Sequence, residues 1–393
     1  MNKPKIRFKG FEGEWKERKF GDFGHVEMCK RIFKYQTSSQ GEIPFYKIGT
    51  FGFQPDAFIS RSLYEDYRKK FSYPKKGDIL ISAAGTIGRT IEYKGEECYY
   101  QDSNIVWLNH NEEIDNTYLK QLYSLVTWSS LEGATIKRLY NSNILNTHFN
   151  LPSLPEQRAL ASYFTSLDAQ IAASTSRLSS LKQIKAASLL NMFPQKGETV
   201  PRVRFKGFQG EWVRQRLGDI SASFSGGTPA VSVSDYYGGN IPFIRSGEIH
   251  EDRTQLYITQ AGLNNSSAKI VEKGTILYAL YGATSGDVGI SKLRGAINQA
   301  ILAIEPTKDI DNFFLAGFLQ SYKNRIINEF LQGGQGNLSG SLVKKILLAI
   351  PSLPEQRAIA SYFTALDAQI TLHRERLEKL KQIKAACLEK MFA

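Results

Sequence analysis

The sequence PSLPEQRALASYFTSLDAQI, residues 152–171, leads into RLSSLKQIKAASLLNMF at 177–193. Both occur again, as PSLPEQRAIASYFTALDAQI at 351–370 and RLEKLKQIKAACLEKMF at 376–392. The displacement is 199 residues, from Pro152 to Pro351 and from Met192 to Met391. One self-similarity of that length indicates two duplicated halves, each with a globular domain and a helix, and not a solenoid of small repeats. Each copy has a defined helix start. Ser153 with Glu156, and Ser352 with Glu355, stand at capping-box spacing. Pro155 and Pro354 fall in the first turn, where no N–H is needed. Beyond the start, Phe164, Leu167, Ile171, Leu178, Leu181 and Met192 form a heptad seam, matched by Phe363, Leu366, Ile370, Leu377, Leu380 and Met391. Ser174 and His373 share one seam position, Lys185 and Lys384 another, so the seam is imperfect. A helix of about 40 residues runs roughly 60 Å. An amphipathic rod of that length needs an equally long partner, so the two copies are expected to pack on each other as a rigid spacer. The plainer alternative is an ordinary long core helix.

At 393 residues the chain fits two domains plus the helical pair. Hydrophobic content of 42% suffices for globular cores, and no stretch is apolar long enough to cross a bilayer. The opening MNKPKIRFKG lacks the apolar core of a signal peptide. Cys29, Cys98 and Cys387 are odd in number and far apart, without zinc-site spacing. Reduced thiols in a cytoplasmic protein are expected. The net charge of +12 favours a polyanionic partner.

Each half opens on a similar basic and aromatic segment, PKIRFKGFEGEW at 4–15 and PRVRFKGFQGEW at 201–212. Arg7, Lys9, Arg204 and Lys206 are candidates for phosphate contact. The alternative is that Phe8, Phe11 and Trp15, with Phe205, Phe208 and Trp212, staple the start of each domain. The first globular half then runs from about Lys16 to Leu151. Short β-rich runs such as IPFYKIG and GDILISA are bounded by Gly, Pro and Asp, and a helical stretch is expected around Asn116 to Ser130. The second half, Val213 to Ile350, repeats the skeleton: Ile43-Pro44-Phe45 matches Ile241-Pro242-Phe243, Lys76-Gly77 matches Lys273-Gly274, Gly85 matches Gly282, and a helical stretch recurs around Asn312 to Asn328.

Between these fixed points the polar residues differ. Arg and Lys donate to guanine, Asn and Gln pair with adenine, and Ser or Thr serve either. The candidate base contacts in the first half are therefore Lys47, Thr50, Ser82, Thr86, Arg89, Gln101, Ser103, Asn104, Lys137 and Arg138. Those in the second are Arg245, Ser246, His250, Tyr281, Thr284, Ser285, Asn298, Gln299, Gln335 and Asn337. For any one of them, a solvated turn or strand edge is the competing reading. For Tyr140, Tyr257 and Tyr281, core packing competes with stacking on a base or sugar.

The double PSLPEQRA helix, the two variable halves and the Gly-Asp-Ile-Leu…Gly-Thr-Ile-Gly pattern beginning at Gly77 resemble the specificity subunit of a type I restriction–modification system. The resemblance covers nearly the whole chain, although Thr275 and Ser285 stand where the first half has Asp78 and Gly88. It implies an α+β fold, with two similar mixed α/β target recognition domains separated by two long antiparallel helices in a pseudo-two-fold repeat. The expected divisions are a first recognition domain at 1–151, a spacer helix at 152–193 and a linker with the repeated opening segment at 194–212. A second recognition domain at 213–350 and a second helix at 351–393 follow. The resemblance further implies that each half reads one part of a bipartite sequence in double-stranded DNA. Two methyltransferase subunits would dock on the scaffold, and restriction subunits would join them. S-adenosylmethionine, ATP and magnesium would serve those partners, with no cofactor, metal or catalytic residue in this chain. Lys182, Gln183 and Lys185 recur as Lys381, Gln382 and Lys384, which fits two equivalent docking platforms; a solvated helix face is the alternative.

No methyltransferase tetrapeptide, glycine-rich cofactor loop or phosphate loop is present. A nuclease would need carboxylates such as Asp56, Glu65, Asp66 and Asp78 assembled around magnesium. A purely structural adaptor is the third reading, and strongly salt-dependent duplex binding would exclude it.

Overall fold

The structure is a computed structural model that describes residues 3–126, 128, 138–330 and 337–392. Two compact units emerge, one formed by residues 1–175 with 376–393 and the other by 176–375. The helical repeats are continuous helices, Leu154–Asn191 and Leu353–Met391. Each unit therefore holds the beginning of one long helix and the end of the other.

In the first unit, a four-stranded antiparallel sheet runs in the order Gly24–Met28, Ile105–His110, Ile79–Ser82, Thr90–Glu92. Both faces of its central strands are covered. Successive side chains on a strand point to opposite faces, so Leu80, Ile105 and Trp107 enter one core cluster while Ile79, Ile81, Val106 and Leu108 enter the other. A second sheet orders Phe58–Ile59, Ile43–Tyr46 and Tyr99–Tyr100, the last two strands parallel. A ribbon pairing Lys16–Lys19 with His148–Leu151 ties the start of the domain to its end.

The second unit repeats this plan. Its four-stranded sheet runs Ser221–Ser225, Ile301–Pro306, Ile276–Ala279, Val288–Ile290. Its second sheet runs Tyr257–Ile258, Tyr237–Ile244, Gly295–Ile297, with Lys269–Val271 added as a fourth strand. The ribbon returns as Val213–Arg216 with Leu347–Ile350. The matched glycines are explained by their backbones: Gly77 and Gly274 have φ of 99° and 100°, and Gly85 and Gly282 have 64° and 76°, a region that side chains with a Cβ rarely enter.

The helical stretch of the first half is shorter than the sequence suggests, ending at Tyr123. That of the second is two helices, Asn312–Ser321 and Lys323–Phe330. The long helices pack antiparallel within each unit. In the first, Tyr163 Oη lies 3.4 Å from Cys387 Sγ and Lys384 Nζ lies 2.5 Å from Asp168, so advancing along one helix retreats along the other. The second unit has Ser188 against Tyr362 at 2.9 Å and Lys185 against Asp367 at 2.6 Å. Phe164, Leu167 and Met391 of the seam join the first unit's core, and Met192 and Phe363 join the second's. No helix among the described residues is long and apolar enough to cross a membrane.

Candidate nucleic-acid interface

Parallel strands end side by side, and that places the candidate loops. Tyr46 pairs with Tyr100, so Lys47 leaves the sheet next to Gln101. The Gln101 side-chain oxygen accepts the Ile48 N–H at 2.8 Å, fastening the two loops. The 82–89 loop joins them through the Ala83 N–H on Asn104 O, 2.8 Å, and the Leu139 N–H on Ala83 O, 2.9 Å. Arg138 donates to Ser103 O at 2.9 Å, where Ser103 is held at φ 50°. Candidates from four separate stretches thus share one end of the first domain. The second domain repeats the device, because Ile244 pairs with Ile297 and brings Arg245 beside Asn298. Leu280 accepts the Leu338 N–H and donates to Ala300 O, which joins Tyr281, Asn337 and the 298–299 turn.

Several candidates hold these loops instead of facing outward. Ser82 is 1% exposed; its hydroxyl donates to Thr86 O and accepts the Arg89 N–H at 2.9 Å. Ser285 is 5% exposed, with its hydroxyl on Leu280 O. Direct base contact by these two is corrected: each hydroxyl lies inside its own turn. Tyr281 is half-buried and packs against the core of the second unit. Tyr140 and Tyr257, by contrast, are 45% and 38% exposed. Thr50 bonds its own turn through Lys47 N–H and O, and Asn298 accepts the Ala300 N–H. His250 lines a cleft of about 720 Å³ with Lys185, Lys292 and Asp367.

Other candidates present cations or amides at the surface. Lys47 pairs with Asp56 at 2.9 Å, both largely exposed. Arg89 donates to Phe51 O and lies 5.0 Å over the Phe53 ring, and Arg138 lies 5.9 Å over Tyr140. Thr86, Gln299 and Asn337 are exposed, Ser246 and Thr284 half-buried. Gln299 accepts the Thr228 hydroxyl at 2.7 Å. Arg245 grips Glu248 through Nε and Nη2 and reaches Gln255. Burial alone would raise the Glu248 carboxyl, but that guanidinium, two backbone N–H groups and the Thr254 hydroxyl hold it at about 2. Lys137 and Gln335, with the rest of 134–137 and 333–336, lie outside the described residues.

The motif at each helix start proves to be a latch. Glu156 is 1% exposed, and Arg7 donates to both its oxygens at 2.7 Å. Arg204 does the same to Glu355. These glutamates therefore serve the opening segments, not the capping box their spacing suggests, and Arg7 and Arg204 are not phosphate contacts. The neighbouring Gln157 accepts the Asp115 N–H and donates to Glu113 O and Pro152 O; Gln356 repeats this with Asp311, Asp309 and Pro351. Asp115 and Asp311 in turn cap the helices Asn116–Tyr123 and Asn312–Ser321. Trp15 and Trp212 are core residues, and Phe8 and Phe205 pack edge-on against Tyr163 and Tyr362.

The family model for the type I restriction modification DNA specificity domain matches residues 12–183 and again 209–382. The chain belongs to that family. Among its relatives is a putative type I restriction enzyme specificity subunit of Haemophilus influenzae, 56% identical over 143 residues, which are 36% of this chain and 37% of that protein. The chain thus spans little more than a third of that relative's length. A Methanocaldococcus jannaschii specificity subunit, also putative, is 25% identical over 78% of this chain and 76% of its own. In fold, the chain is similar to the type I system S subunit from M. genitalium, with a TM-score of 0.66 and 17% identity over 100% of this chain and 99% of that one. A chain from a structure of type I system assembly gives 0.54 and 17% over 98% and 99%.

In this specificity-family chain the helix residues expected to dock partners divide. Lys182, Gln183, Lys381 and Gln382 are exposed, with Lys381 paired to Glu378. Lys185 and Lys384 instead bridge the two helices, on Asp367 and Asp168. The carboxylates considered for a nuclease are dispersed: Asp56 is on Lys47, Asp66 on Lys70, and Asp78 accepts the Lys75 N–H. Sequence reasoning passed over Arg31, Phe33 and Tyr35, although the alternation of cations and rings in Lys30-Arg31-Ile32-Phe33-Lys34-Tyr35 is a recognisable signal.

Proposed function

We propose that this chain is the sequence-reading subunit of a type I restriction–modification complex, its two halves each recognising one part of a bipartite duplex target. The observation that supports this most is that one framework occurs twice, with loops gathered at matching sheet ends and different side chains on them. Basic residues fix the protein on phosphates without reading sequence, while the exposed loop residues meet base edges in the major groove. On this reading the long helices set the separation between half-sites and carry two methyltransferase subunits on the exposed lysines and glutamines, with restriction subunits joining. Methylation with S-adenosylmethionine, and restriction with ATP and magnesium, belong to those partners, in the cytoplasm beside the genome. The divisions at 151, 193, 212 and 350 are the corresponding domain limits.

Methylation mapping of genomic DNA from cells holding this chain and its methyltransferase tests the reading. Two short methylated tracts at fixed spacing are expected. Methylation at a single continuous site, or a pattern unchanged when this chain is replaced, would overturn it.

A further inference from the structure

The segment Lys30–Tyr35 presents two aromatic rings to solvent on a firmly held backbone. Phe33 is 48% exposed and Tyr35 83%, and their rings stack with centroids 5.7 Å apart and planes 9° from parallel. The segment is anchored on both sides. Cys29 is buried and Ile32 packs against the core of the smaller sheet. The Phe33 N–H donates to Gln36 Oε1 at 2.9 Å, and the Thr37 hydroxyl donates to Lys34 O at 2.8 Å. The rings are therefore displayed by a fixed turn. Single exposed apolar residues need no explanation, but a stacked pair amid cations does. Lys30, Arg31 and Lys34 are all exposed, and Arg31 Nε lies 2.7 Å from Asp102, in the loop that also carries Gln101, Ser103 and Asn104.

We propose that Phe33 and Tyr35 form a wedge that inserts at a base step on the edge of the first half-site, unstacking it. The proposal rests on the reading that this domain binds duplex DNA. Every base offers a face to an aromatic ring, and apolar wedges of this kind open and kink a duplex, while the flanking cations neutralise the phosphates on either side. Arg31 sets the wedge against the reading loop through Asp102. Among the described residues the second half shows no counterpart: after its matching strand, Ser221–Ser225, come Gly226 and Gly227, followed by exposed Val231 and Val233. The opened step thus belongs to one half-site alone.

The test uses the full-length chain, with its methyltransferase, on duplexes carrying 2-aminopurine at successive positions. The wild type should brighten at one step beside the first half-site and at none beside the second. The F33A/Y35A double variant should lose that signal and bind about ten- to a hundredfold more weakly. Its salt dependence should be unchanged, since no phosphate contact is removed. F33Y/Y35F should keep both signal and affinity. Wild-type binding that F33A/Y35A retains in full, or a signal that persists in it, would overturn the wedge and leave the reading function standing. A wild type that binds no duplex would overturn the reading function and the wedge together. Both rings are exposed, so unchanged unfolding of the variant is the control for folding.

Discussion

Arg7 closes on both oxygens of Glu156, 149 residues further along the chain, and Arg204 closes on Glu355 in the same way. Each arginine also holds its own opening segment, Arg7 donating to Gly13 O and Glu12 O and Arg204 to Gly210 O and Gln209 O. One side chain therefore ties the domain's first residues to the start of the long helix. The adjacent glutamine ties the same helix start to the turn that begins the domain's own helix.

Arg7→Ala should destabilise the first unit by about 3 kcal/mol, because it leaves a carboxylate buried without its counter-charge. Glu156→Gln, which removes that charge, should cost less. Urea unfolding of the three proteins checks the order; an Arg7→Ala protein as stable as the wild type would refute the latch.

Glu248 gives the second unit an acid-sensitive element. Its carboxyl is held at about 2, below its ordinary 4.5, so the folded state favours the ionised form. The resulting stabilisation is complete above pH 4.5 and is lost as pH falls from there toward 2. Glu248→Gln should therefore be less stable than the wild type at neutral pH, and the gap should close in acid. Thermal melts at pH 7 and pH 3 measure this.

Ser82 and Thr86 lie four residues apart and should behave oppositely. Removing the buried hydroxyl in Ser82→Ala leaves its backbone partner short of a bond and should cost about 1–2 kcal/mol. Thr86 is exposed, so Thr86→Ala should leave stability within about 0.5 kcal/mol and weaken discrimination at the first half-site only. Unfolding and methylation mapping separate the two effects.

Asp168–Lys384 and Asp367–Lys185 are copies of one contact, each partly exposed. Reversing one charge in Asp367→Lys should cost about 1–2 kcal/mol, the lost attraction of a partly solvated pair plus a repulsion of similar size. The double change D367K/K185D should restore most of it. A double-mutant cycle at low salt supplies the number, and a coupling near zero would show that apolar packing alone sets the helix register.

The heptad seam and the β-rich run GDILISA were legible because they depend on local order: neighbours on a strand point to opposite faces, and Leu80 and Ile81 accordingly enter different cores. The loops were legible as the places where two copies of one framework diverge. Burial inside a turn was not, since the inward rotation of Ser82 depends on Arg89, seven residues away. Nor was the Arg7 partner, which no local pattern specifies. Lys185 and Lys384 carried their signal in plain sight. A lysine on a helix seam faces the other helix, where Asp367 and Asp168 meet it.

The spacer role makes the most demanding prediction. Seven residues inserted into each long helix, after Ser174 and after His373, add about 10 Å of helix and preserve the heptad phase, so the seam continues on both sides. Neither insertion touches a recognition loop or the Arg–Glu latches. If the helices hold two reading domains apart, the methylated half-sites should keep their bases while the unread spacer lengthens by one to three base pairs, at about 3.4 Å each. Insertion of the same residues into one helix alone should disturb assembly, because each unit grips one end of both helices. Mapping methylated sites in cells carrying each variant decides the matter. New bases at an old spacing would mean that the helices shape the reading loops, whereas old bases at an old spacing would mean that separation is set elsewhere.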